Sequence, residues 1–139
     1  MSATLRTVNP PGPQIPGISQ AVVIESGKLL LLSGHVPIGA DGSIAGPGLE
    51  AQLEQVFANL RDTLEAAGSG FAHVARLTIY LCDYTPAMLP TVRAVRDRFV
   101  DTSQPPASAL VGVAALFLPG VLVEVDAIAT VPEKKSATP

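Results

Sequence analysis

Glu124 is the acid whose neighbours constrain it most. It stands in the run Val121 to Ala129, where alternation turns Val121, Val123 and Val125 to one face of a strand and Glu124, Leu122, Asp126 and Ile128 to the other. A carboxylate among aliphatic neighbours must be paired or put to use, because burying it alone is costly. Paired, it would make a salt bridge or hydrogen bond across a subunit interface; put to use, it would hold or activate a reactant. His35 follows Ser33-Gly34 at a strand end, and its imidazole could act as acid or base near neutral pH or take an ordinary surface hydrogen bond. His73, just before a strand, reads as a solvated loop residue. Arg93 lies four residues before Asp97, with Arg96 and Arg98 close by. Such arginines either pair in solvent along a helix or, for Arg93, enter a cleft as an anion contact. Cys82, at the end of a strand, reads as packing.

No cofactor or metal is expected. A single cysteine and two histidines far apart in sequence give no zinc site of standard spacing. Gly12, Gly17, Gly46 and Gly48 form no phosphate-binding pattern after a strand.

The elements that must position these residues can be read from periodicity. Ala21 to Glu25 and Leu29 to Ser33 are apolar runs separated by Ser26-Gly27-Lys28, which predicts a β-hairpin, and Leu29 to Leu32 reads as buried on both faces. His35 to Gly48 is a loop with a turn at Asp41-Gly42. Leu49, Leu53, Val56, Phe57, Leu60 and Leu64 then recur at helical steps, with Gly68 as the stop and Arg61 and Glu65 four apart on the exposed flank. Val74 to Leu81 alternates as a strand. Thr85-Pro86 predicts an N-cap and first helical turn, followed by the stripe Met88, Leu89, Val92, Val95 and Phe99. Strands at about Ser108 to Leu116 and Val121 to Val131 close the order, and the stretch from Pro132 reads as an irregular tail. The whole chain, residues 1–139, is expected to be one domain. Two helices cover only one face of such a sheet. Arg76, Thr78 and Tyr80 suit water on the other face, but Leu30/Leu32 and Leu122/Ile128 do not, so subunit association through that face is expected.

Composition narrows the function classes. At 47% hydrophobic and 15% charged, 139 residues can fill a core. A formal charge of −3 offers no global positive field, so a nucleic-acid partner is not expected. The apolar stretch Ala109 to Val123 is shorter than the roughly 20 residues of a membrane helix and is broken by Pro119-Gly120, so no membrane partner is expected either. With no apolar leader at Met1 to Arg6, the cytoplasm is the expected compartment.

The element order, with Ser33-Gly34-His35 after the first strands, Pro106-Ala107 before the penultimate strand, and Leu118-Pro119 leading to Val123-Glu124-Val125-Asp126-Ala127-Ile128-Ala129, resembles the Rid/YjgF family. The family's closing pattern is matched except that one fewer residue separates the proline from Val123. The resemblance implies an α+β, chorismate-mutase-like fold, a mixed sheet with two helices on one face, assembled as a homotrimer. It also implies hydrolysis of enamines and imines in clefts between subunits, with Glu124 placing water and backbone N–H groups near Ser33-Gly34 or Ser108 holding the substrate.

The chain departs from the family where a carboxylate is bound. An arginine follows Pro-Ala in the deaminating members; here that residue is Ser108. The family's cysteine two residues later is Leu110, its N-terminal tyrosine is Ile18, an asparagine of the second helix is Arg93, and its usual glutamine is His35. Losing the guanidinium fork puts standard 2-iminopropionate deaminase activity in doubt. Leu110 and Ile18 favour a less acidic small-molecule ligand, a preference that Arg93 alone could reverse. Two functions follow: a RidA-like hydrolase of enamines, imines or related carbonyl metabolites, or a non-catalytic trimer that binds a metabolite or protein. Endoribonuclease activity, sometimes attached to the family, finds no basic stripe here.

Overall fold

The computed structural model describes residues 4–134. The elements are β1 (Leu5–Val8), β2 (Ala21–Ile24), β3 (Lys28–His35), α1 (Leu49–Ala66), β4 (Val74–Cys82), α2 (Leu89–Arg96), β5 (Ala107–Val113) and β6 (Val123–Val131), with 3-10 turns at Phe71–His73 and Pro86–Met88. β3, β6, β4 and β5 form a mixed sheet in that order, antiparallel except for the parallel β4–β5 pair. The class is α+β.

Both helices pack on one face of this sheet. The predicted stripe of α1 is fully buried from Leu53 to Leu64, and Val92 and Val95 of α2 meet the same core as Leu77, Ile79, Leu81, Val123 and Val125. Each such side chain stabilises by about 1.5–3 kcal/mol relative to exposure. Gly68 ends α1 as expected, at φ +82°, with its N–H donating to Glu65 O and that of Ser69 donating to Leu64 O. Gln52, also buried on this helix, donates to Gly120 O and accepts from Leu122 N–H, which fixes the turn leading into β6.

Several expectations are corrected. The hairpin is absent: β2 pairs with β1, whose four residues ahead of a proline-rich segment gave no periodic signal, and β3 pairs with β6. Ser26-Gly27 passes the chain between sheets, because the amides of Glu25 and Ser26 both donate to Thr4 O. β3 is not buried on both faces, since Leu30 and Leu32 turn toward the helices while Leu29 and Leu31 stand 62% and 68% exposed. The apolar residues of the uncovered face are therefore Leu29 and Leu31, joined by Ile128, rather than Leu30 and Leu32. Thr85 makes no side-chain cap, and a 3-10 turn precedes α2. Arg61 pairs with Asp62 and stacks on Phe99 rather than meeting Glu65. His73 Nδ1 lies 2.9 Å from Thr4 Oγ1, so it is not merely solvated. Residues 132–134 belong to no helix or strand; the rest of the expected tail, residues 135–139, lies outside the described residues. No helix among the described residues is long and apolar enough to cross a membrane.

Candidate functional site

The expected site residues fall into two groups at opposite edges of the sheet. At the β5 edge, on the helix side, Ile18, Arg93, Ser108 and Leu110 line one cavity of about 340 Å³, a volume suited to a small molecule. Register explains their meeting. Ser108 and Leu110 pair with Leu77 and Ile79 of β4, whose side chains face the helices, so they look toward α2. The N-terminal segment forms the third wall, held because Ser19 donates from its N–H to Pro106 O and from its hydroxyl to Pro105 O.

Sequence reasoning missed the most constrained residue of this cavity. Arg96 lines it, is 5% exposed, and donates from Nε to Asp97 Oδ1 at 3.0 Å, while its buried Nη2 has no hydrogen-bond partner. Gly17 permits this placement. It has φ +81°, and a Cβ there would stand 1.9 Å from Nη2, so any other side chain would displace the guanidinium. The signal was available in the spacing, since Arg96 lies four residues after Val92 and seven after Leu89, in the middle of an apolar stripe. Arg93 joins it in the cavity and forms no ion pair among the described residues. The lining carries two arginines and no carboxylate, in a chain of formal charge −3. Leu110 and Ile18 led to the expectation of a less acidic ligand; the structure adds the buried guanidinium of Arg96 to the same lining.

The second group lies at the β3–β6 edge. Between Leu32 and His35 the register slips against β6, so that Ser33-Gly34 forms a bulge. Glu124 leans over that bulge: a Cβ on Gly34 would stand 2.2 Å from Oε2, so a side chain there would push the carboxylate aside. Glu124 is half-buried, faces away from the helices, and has no ion pair among the described residues. Its cross-strand neighbour Tyr80 donates to Asp126 Oδ2 at 3.0 Å, and this bond to the carboxylate raises the phenol above its ordinary pKa.

His35 is not brought to Glu124. It pairs with core-facing Val125, and its Nδ1 donates to Ser33 O while its Nε2 accepts from Thr63 Oγ1, which ties the bulge to α1. Cys82 Sγ contacts Val121 O, in keeping with packing. Among the described residues no group of three or more His, Cys, Asp or Glu could hold a metal.

One chain does not unite the two groups. Glu124 on β6 and Ser108 and Leu110 on β5 are separated by β4, roughly 10 Å apart by strand spacing, and they face opposite sides of the sheet.

Comparison with known proteins places this geometry. Residues 14–131 match the family described as Endoribonuclease L-PSP. Protein DfrA of Myxococcus xanthus is 42% identical over 112 residues, 80% of this chain and 82% of that protein. A 2-iminobutanoate/2-iminopropanoate deaminase of Salmonella typhimurium is 28% identical over 134 residues, covering 93% and 98%. The crystal structure of YyfB, a conserved Rid family protein of Yersinia pestis, superposes with a TM-score of 0.85 at 37% identity, covering 91% of this chain and 98% of that one.

Proposed function

The chain belongs to the Rid/YjgF family, whose model carries the description Endoribonuclease L-PSP, and from that premise we propose that it hydrolyses small enamines, imines or related carbonyl compounds. The site is built between subunits of a homotrimer: one copy supplies the cavity of Ser108, Leu110, Ile18 and Arg93, and its neighbour supplies Glu124 with the Ser33-Gly34 bulge. The name of the Salmonella relative supports the reaction class.

The observation that carries this reading is the Glu124 carboxylate, held over Gly34 on the uncovered face without an ion-pair partner among the described residues. There it serves as general base. It takes a proton from water as the oxygen adds to the C=N carbon and passes that proton to the nitrogen, giving a carbinolamine. In the collapse Glu124 takes the hydroxyl proton and delivers it to the nitrogen, so the C=O bond forms, the C–N bond breaks, ammonia leaves and the carboxylate is regenerated. In this reading the backbone amides at Ser33-Gly34 hold the polar end of the substrate. The trimer is supported by Leu29 and Leu31, which stand exposed beside Ile128 on a face that neither helix covers.

A second reading, a non-catalytic binding trimer, is favoured by Ser108 standing where the deaminating members carry arginine. A coupled assay separates the two. Ammonia release from enzymatically generated imines, faster than in buffer and lost in Glu124→Gln, supports hydrolysis; no acceleration by native protein or by Ser108→Arg leaves the binding reading.

A further inference from the structure

We infer that Arg96, projected from the end of α2, is the anion anchor of the cavity, and that the ligand it selects is a small monocarboxylate with a branched apolar body. This deepens the proposed function by naming the ligand class of the same cavity.

Arg96 is an arginine in a core position that is short of acceptors. Its guanidinium carries five N–H donors, its side chain is 6% exposed, and its one ion pair uses Nε alone. A buried guanidinium with an orphaned Nη2 is costly unless something completes it. The protein does not complete it, because the cavity beside it has no carboxylate in its lining. A ligand carboxylate can supply a two-oxygen acceptor from the cavity side, with the Ser108 hydroxyl as a further donor and Arg93 adding a second positive charge.

The rest of the wall sets the body of the ligand. Ile15, Ile18, Leu89, Val92 and Leu110 surround the cavity with branched aliphatic groups. The anchor also comes from the helix end rather than from β5, where Ser108 has no charge to offer. Backbone geometry reinforces this, since Arg96 is the last residue of α2, where the helix dipole favours a cation. The positive φ of Gly17 keeps the roof over the guanidinium without a side chain.

Isovalerate and its neutral isostere isovaleramide test the inference on the intact protein by calorimetry, with inorganic phosphate as a third probe. Saturable binding of isovalerate, at least about tenfold tighter than isovaleramide and phosphate, is expected, and Arg96→Met should weaken it by about tenfold or more. Asp97→Asn provides a variant that leaves the guanidinium in place while removing its competing carboxylate, and it should bind isovalerate several-fold more tightly; a purely structural Arg96 predicts no gain. Equal binding of acid and amide, preference for phosphate, or unchanged isovalerate affinity in Asp97→Asn together with a folded Arg96→Met would overturn the inference. Isovalerate binding without any imine hydrolysis would sink the proposed reaction and leave the anchor standing. Hydrolysis of neutral imines without isovalerate binding would do the reverse.

Discussion

The two edges of the sheet carry opposite chemistry. The β5 edge holds a partly open, largely apolar cavity with two arginines, and the β3–β6 edge presents an acid beside a backbone bulge on an uncovered face. Each edge is incomplete in a different way. The cavity has charge and volume but no base, whereas the acid has no walls to hold a ligand. The sheet keeps them on opposite faces, so a second copy of the chain offers the route to a full site, and the exposed Leu29 and Leu31 lie on the face where it would dock.

The contrast is broken most severely by charging that face. Leu31→Asp should leave the monomer folded, because Leu31 is already 68% exposed in one chain, yet abolish both assembly and hydrolysis. Light scattering and the coupled assay check this together, and a trimer of native activity would count against it. Next comes the acid. Glu124→Gln should keep the fold and lose about 10²–10⁴-fold in hydrolysis, the usual contribution of a placed general base. Gly34→Ala should lose nearly as much, because the new methyl group takes the space of the Glu124 carboxylate. The comparison within this pair is what moves: the alanine should displace the Glu124 carboxylate with little loss of thermal stability, and the glutamine should leave stability unchanged.

A smaller effect is expected from Gln52→Leu, which strands Gly120 O and Leu122 N–H and should cost about 1–3 kcal/mol in denaturant unfolding. The smallest concerns pH. The Tyr80 phenol is raised by its bond to Asp126, so the folded state favours the neutral phenol. That contribution is present below the ordinary tyrosine pKa of 10.0 and fades as pH climbs through the raised value. Native protein should therefore lose its stability margin over Tyr80→Phe as the solution is made alkaline; a margin that persists unchanged into strongly alkaline solution would refute the assignment.

Much of the scaffold could be read from periodicity alone. The stripe from Leu49 to Leu64 and the alternation of Val74 to Leu81 are local patterns that burial simply realises. Strand pairing was not local: β2 and β3 look like a hairpin because they are adjacent, but the partner of β3 arrives about ninety residues later as β6. The site was half legible. Ile18, Arg93, Ser108 and Leu110 do share one cavity, and Glu124 does meet Gly34. Arg96 was overlooked because its neighbours Arg93, Asp97 and Arg98 resemble an ordinary solvated charge run, while its place on the apolar stripe said otherwise. His35 looked reactive in isolation; its two hydrogen bonds are contacts of the fold that no spacing announces.

Subunit complementation tests the central claim most directly. Glu124→Gln spoils one edge, and Ser108→Trp fills the cavity at the other, so each variant alone should be inactive. Dissociated, mixed and reassembled in equal amounts, they should regain activity, with roughly one site in four intact under random mixing of a cyclic trimer. Mixed trimers, verified by mass, that stay as inactive as either parent would show that the two edges do not meet in one site.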